Sequence, residues 1–327
     1  MSNSKSLIQF ETGVTPYAMS ALTDSGDHKT FNSAVSLFSN SSGNEPDVRP
    51  NGLITGGKVV PAASLTNNAV DVAALSCYLA GVKTAVAAGA DKTITRPATA
   101  VAKVNSLTVT SAGALAFVAG TDGASTTFSS TRGAAGGPPL IPVGSIEIAQ
   151  VRVISNTAAP ITASEIFQVI GTHVERYDYP SFSTDNFNGT VVFDSALPLI
   201  HTGPVAKAVY ASYAEPVFIT QRSASEFVPA DTSHSVSSTE VYGGVIGTSS
   251  KSLGQATFTA ELSDGITDAI MACDGDIKFI KYFQNENKSP YILTQGVIGL
   301  GRTFNVSKNP MVKVTISPTT ASVNRAS

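Results

Sequence analysis

The stretch Gly52-Leu-Ile-Thr-Gly-Gly-Lys58 matches the first seven positions of a phosphate-binding loop, where glycine amides cradle a phosphate and a lysine reaches it. Position eight should offer a hydroxyl to Mg²⁺ and is Val59, and Pro50-Asn51 precedes the stretch where an apolar strand should stand. A glycine turn entering a strand is expected instead. The four histidines, His28, His173, His201 and His234, lie in polar contexts. None has metal-ligand spacing, and none accompanies a Gly-x-Ser-x-Gly elbow or a cysteine nucleophile. Asp274-Gly-Asp276 begins like a calcium loop, but Ile277-Lys-Phe-Ile-Lys281 follows where further oxygen ligands are needed, so a turn is expected. Cys77 and Cys273 are too few and too far apart for a disulfide framework or a metal site, and both are expected to be free and buried. No catalytic, cofactor-binding or metal-binding residue is assigned, and the chain is not expected to be an enzyme.

A different chemistry, that of contact with another chain, is suggested by Thr220 to Ser238. This polar stretch lies between strand candidates, and loops longer than about 12–15 residues without structure of their own are usually functional or disordered. At its centre Glu226, Phe227, Val228 and Pro229 set two apolar side chains among polar flanks. They are expected to form an inter-subunit loop that orders when the apolar pair finds a partner. The polar tail from Ser317 to Ser327 is read as a free end or an arm laid on a neighbour.

The elements that must position these segments are mostly strands. In Gln255–Leu262, Ala256, Phe258, Ala260 and Leu262 share one face, and Gln255, Thr257, Thr259 and Glu261 share the other. A period of two predicts a half-buried strand with one wet face. Val312, Val314 and Ile316 repeat the pattern after Phe304 and Val306, and Ser307-Lys-Asn-Pro310 between them predicts a hairpin turn. Leu107, Val109 and Leu115–Val118 flank a turn at Ser111-Ala-Gly113. Ile146 and Ile148 share one parity while Val151 and Val153 share the other, so a β-bulge is expected at Ala149–Gln150. Two short helices are expected. One follows Thr162-Ala-Ser-Glu165, which has capping-box spacing, and runs to about His173 with Ile166, Val169 and Ile170 on one face. The other starts at Ser263 or Asp264 and carries Ile266, Ala269 and Ile270 to just before Gly275.

Composition sets the wider frame. Hydrophobic residues make up 42% of the 327, enough for a sizeable core, while charged residues make up 14% against roughly 25% in a typical soluble protein. Interface cores are depleted of Lys and Glu, so a surface poor in both suits a protein that packs against copies of itself. With a net charge of −3 and no basic stripe, a nucleic-acid-gripping role is not expected. The first ten residues lack an apolar core of signal-peptide length, and Val70–Ala90 is too polar to span a membrane, so assembly in a cytoplasm is expected. Between 45 and 158 aromatics become scarce, whereas Phe10, Tyr17, Phe31 and Phe38 match the texture of the last 150 or so residues. The expected division is therefore one discontinuous β domain, 1–44 with 159–327, and an inserted β-sandwich, 45–158.

The alternating strand Gln255–Leu262, the helix candidate after it, the closing hairpin Phe304–Ile316 and the loop 220–238 resemble the layout of major tail tube proteins of long, non-contractile-tailed bacteriophages. The resemblance covers about half the chain and rests on layout, since that family has no diagnostic residue motif. Pro138-Pro-Leu-Ile-Pro-Val-Gly144 followed by Ser145–Val153 is similar to the ending of small β domains that decorate phage tails and fibres. The resemblance implies a mainly β fold, a tail-tube-like sandwich or barrel with one or two short helices plus the inserted sandwich. It implies hexameric or pseudo-hexameric rings of this chain, stacked into a tube that passes genomic DNA without gripping it. Tape measure, tail terminator and distal tail proteins would be the other partners, no membrane or cofactor would be involved, and the location would be the virion tail. The alternative is a tail fibre or baseplate adaptor. A carbohydrate-active β enzyme would need paired carboxylates across a cleft, usually with aromatic platforms, and the chain has no Trp.

Overall fold

Alternation decides most of the architecture. The computed structural model describes residues 5–168, 181–203, 205–242, 244–303 and 310–326. The fold is mainly β: strands take 52% and helical turns 4%, and among the described residues no helix reaches seven residues. The chain opens with the long strand β1 (Leu7–Ala21), then β2 (Thr23–Asp24) and β3 (Thr30–Asn32). Short strands follow: β4 (Asp47–Pro50), β5 (Gly52–Gly56), β6 (Val59–Pro61), β7 (Ala69–Val72), β8 (Leu75–Leu79), β9 (Val82–Val86) and β10 (Gly89–Thr93). Next come β11 (Lys103–Val109), β12 (Leu115–Ala119), β13 (Ile146–Val153), β14 (Ile166–Gln168), β15 (Phe182–Asp185) and β16 (Thr190–Phe193). The long β17 (Val209–Gln221) leads to β18 (Ala224–Val228), β19 (Thr232–Val241), β20 (Gly244–Leu253) and β21 (Ala256–Glu261). The chain closes with β22 (Ile277–Phe283), β23 (Tyr291–Thr303), β24 (Met311–Pro318) and β25 (Val323–Arg325).

Two compact units result. One holds Met1–Tyr17, Leu37–Pro46 and Tyr213–Ser327, and the other holds Ala18–Ser36 and Asp47–Ser212. In the first, the strand order is β18-β21-β24-β23-β22-β1-β17, with β25 added to β23. β21 is built as its pattern predicts. Ala256, Phe258, Ala260 and Leu262 are buried beside Val312, Val314 and Ile316 of β24, and the register pairs Phe258 with Val314. β24 and β23 form the closing hairpin, from Thr303↔Met311 to Gly296↔Pro318. The expected turn and Phe304 and Val306 lie outside the described residues. Ile8, Phe10, Ile270, Cys273, Ile280 and Ile298 complete this core.

The helix expected after Ser263 is two short 3₁₀ segments, Gly265–Thr267 and Ala269–Cys273. Ile270 and Cys273 are buried, but Ile266 is 70% exposed, so the three apolar residues do not share one buried face. The tail is not free: β25 pairs antiparallel with Tyr291–Leu293 of β23.

In the second unit the core runs from Leu53 through Val70, Cys77, Leu107 and Val151 to Ile161, with Ile166 packed against it. β11 joins β12 through the expected turn, where the Thr110 amide donates to the Ala114 carbonyl and the Gly113 amide to the Thr110 carbonyl. The expected bulge is present one residue early. Leu107 pairs Ala149 and Thr108 pairs Glu147, which leaves Ile148 as the extra residue. Ile146, Ile148, Val151 and Val153 are all buried, as a parity switch across a bulge requires. The capping-box spacing at Thr162–Glu165 gives only a 3₁₀ turn, Ala163–Glu165. Glu165 accepts from the Thr162 amide at 2.8 Å. Ile166 then enters β14 instead of continuing a helix, and Val169 to His173 lie outside the described residues.

The unit boundaries differ from the expected division. The chain first visits the second unit over Ala18–Ser36, inside the expected 1–44 segment, then re-enters at 46/47, near the expected 44/45, and leaves at 212/213 and not at 158/159. Backbone pairing is the reason. β14 pairs β13, β16 pairs β3, and Val209–Ser212 of β17 pair β4, so residues beyond 158 are laddered into the second unit. Phe31 goes with them, packed edge-on against Phe193 at 5.5 Å between ring centroids.

Candidate functional site

The expected loop at 220–238 is built of strands. β17 runs through Gln221, β18 follows after a turn at Arg222-Ser223, and β19 begins at Thr232. β18 is an edge strand, and an open edge invites further strand pairing unless it is short, bulged or charged. Here it is five residues long, and its register against β21 shifts between Ser225 and Val228. Within that bulge Glu226 adopts φ 59°, in the left-handed region. Phe227 stacks on Tyr282 at 4.6 Å between ring centroids and 15° between planes, and packs against the unit's core. The partner expected from another chain is therefore met within the fold for Phe227. Val228 remains 53% exposed, Glu226 is exposed, and Pro229 is half-buried.

β19 and β20 make a two-stranded ribbon that joins no other sheet. Ten residue pairs run without a shift from Thr232↔Leu253 to Val241↔Gly244. At about 3.3 Å per residue the ribbon is about 33 Å long. Three hydroxyl pairs bridge its strands along one face: Ser233–Ser252 at 2.6 Å, Ser235–Ser250 at 2.6 Å and Ser237–Thr248 at 2.7 Å. The opposite face carries His234 across from Lys251 and Val236 across from Ser249. Val236 is 78% exposed, and Tyr242, just past the last pair, is wholly exposed. Among the described residues of the ribbon no side chain is buried. A two-stranded hairpin in water is marginal by itself, so this ribbon gains little from standing alone.

Beside β18 lies a cleft of about 420 Å³, lined by Leu7, Ile8, Gln221, Phe227 and Tyr282, with Lys5, Arg222, Glu226 and Glu286 among its charged walls. Sequence reasoning missed both the ribbon and the cleft. The one available signal was Phe227, an apolar ring among polar flanks, which was assigned to another chain and stacks on Tyr282 of its own.

The remaining chemical candidates form no shared site. Gly52–Gly56 is strand β5, and Gly56 and Gly57 turn the chain at φ 78° and 76° into β6. A Cβ at Gly56 would meet the Ala74 carbonyl oxygen at 2.2 Å, so this is a close-packed glycine turn. Gly275 turns between Cys273 and Ile277 at φ 81°, and Asp276 pairs with Lys278 at 2.9 Å. His28 bonds Asp24 at 2.6 Å, His201 is buried against the Ser145 carbonyl at 3.0 Å, and His234 is on the ribbon. His173 lies outside the described residues. Cys77 and Cys273 are free and buried, and burial pushes the Cys273 thiol up to about 11. Among the described residues no three His, Cys, Asp or Glu side chains converge as a metal ion would require, and no helix is long and apolar enough to cross a membrane.

One buried carboxylate has a measurable consequence. Glu11 is fully buried, accepting from the Ser39 hydroxyl at 2.5 Å and the Phe279 amide at 3.0 Å. Desolvation raises its pKa above the ordinary 4.5, against the lowering pull of those bonds and of Lys278. The native state thus holds this proton more tightly than the unfolded chain. The stabilisation is complete below about pH 4.5 and is lost as pH rises through the raised value. Asp122 and Asp276 have lowered values and act in the opposite sense, below about pH 4. Glu11→Gln keeps an acceptor for the amide and removes the charge. Its melting temperature should rise less than that of wild type as pH falls from neutrality towards 4.5. Equal slopes would mean that Glu11 does not titrate in this range.

No family model, no curated protein and no solved structure matches the chain.

Proposed function

We propose that this chain is a structural subunit that assembles with copies of itself, and that its assembly is the tail tube of a long, non-contractile-tailed bacteriophage. One observation carries the self-assembly reading: a ten-pair ribbon with no buried side chain among its described residues and an exposed aromatic residue at its end. A chain that remained alone would gain nothing from it, whereas a neighbouring copy can cover it. The low charge content supports the same reading. The tube itself rests on the resemblance in layout. Rings of this chain would stack by a head-to-tail contact that closes, with genomic DNA passing through without being gripped. Tape measure, terminator and distal tail proteins would complete the tail, and the subunit would act without catalysis or cofactor.

Sedimentation of the purified chain over a concentration series tests the assembly. Species much larger than a monomer should appear above a threshold concentration. A single monomeric boundary at every concentration would contradict the proposal.

A further inference from the structure

Tyr242 and the cleft beside β18 complement one another. Tyr242 is wholly exposed at the end of the ribbon, and an aromatic ring with one polar tip is a preferred anchor where one chain meets another. The cleft offers a stacked aromatic pair, Phe227 on Tyr282, and the half-buried side chain of Leu7. Its volume of about 420 Å³ is ample for a tyrosine side chain. The mouth carries both signs, with Lys5 and Arg222 beside Glu226 and Glu286, all exposed, and Glu240, exposed two residues from Tyr242, can pair with its cations.

The tip is out of reach of the cleft in its own chain. The ribbon leaves the unit at Asp231 and Gly254, joined by the Gly254 amide donating to the Asp231 carbonyl at 3.0 Å. Residue 231 is only four positions beyond Phe227, so the ribbon's base is the near end, and an unbroken ladder about 33 Å long separates Tyr242 from that base. A second copy is the occupant that fits.

We infer that Tyr242 of one copy seats in the cleft between β1 and β18 of another, over the Phe227–Tyr282 stack, with Glu240 paired to Arg222 at the mouth. This rests on the self-assembly reading and names the contact that the ribbon makes. The bulge at Glu226 then has a role in recognition: it turns Phe227 inward and holds the floor of the socket in place. The contact is heterologous, tip to socket, so each copy gives one and receives one, as a closed ring or a stack of rings needs.

The test compares full-length wild type, Tyr242→Ala, Tyr242→Phe and Glu240→Lys, with and without Arg222→Glu, by light scattering over a concentration series. Tyr242→Ala should raise the assembly threshold more than about tenfold, as loss of an interface anchor does. Tyr242→Phe should stay near wild type. Glu240→Lys should raise the threshold, and adding Arg222→Glu should bring it back. Because both ribbon residues are exposed, the melting temperature should not move. If wild type assembles and Tyr242→Ala assembles at the same concentration, the socket is wrong and the self-assembly reading survives. If wild type never assembles, both fall together.

Discussion

Phe258→Ala should destabilise the first unit by about 3–5 kcal/mol, the range for emptying a fully buried aromatic site. Phe258 is 1% exposed at the centre of β21 and is paired with Val314, with Ala256 and Ala260 to either side on the same face. Small residues on both sides leave the ring as the main filling of that layer. Ile266→Ala makes the control. Ile266 is also a large apolar residue in this unit, but at 70% exposure its loss should change stability by no more than about 0.5 kcal/mol. Denaturant midpoints of the two variants should differ widely, and similar midpoints would mean that β21 does not face the core.

Arg132→Met should cost the second unit a comparable amount, by a different mechanism. The Arg132 guanidinium holds Glu147 at 2.5 Å and also donates to the Pro139 carbonyl at 2.7 Å. Glu147 is 8% exposed near the start of β13, with the Ser106 hydroxyl donating to it. Removing the cation leaves a carboxylate buried without its counter-charge, which costs about 3–5 kcal/mol in comparable sites. The pair itself is worth far less than that, since its attraction is largely offset by desolvation. Arg132→Met combined with Glu147→Gln should therefore recover much of the loss. A double variant as unstable as Arg132→Met would show that the Pro139 bond and packing matter, and that the ion pair does not.

Phe258 falls where the sequence was most legible. β21 could be read because one face is dry and the other wet, so its residues alternate. The parity switch in β13 announced its bulge, because Ile146, Ile148, Val151 and Val153 must all reach one core. The ribbon was hidden for the opposite reason. Ser233, Ser235, Ser237 and Ser238 are small and polar on both faces, so no hydrophobic period marks a strand that covers no core. Ile166 misled because an apolar residue at helical spacing from Val169 and Ile170 equally suits a three-residue strand. The return from the second unit was invisible in composition, since Phe182 and Phe193 resemble the aromatics of the first unit and only the ladder from β15 through β16 to β3 assigns them. The cleft brings Leu7, Phe227 and Tyr282 together across long stretches of chain, which no local pattern records.

Electron microscopy of the concentrated full-length chain in negative stain tests the central claim most directly. Rings or stacked rings with an open bore wide enough for duplex DNA should appear above the same threshold that scattering detects. Dispersed single particles at every concentration, or filaments without a bore, would contradict it.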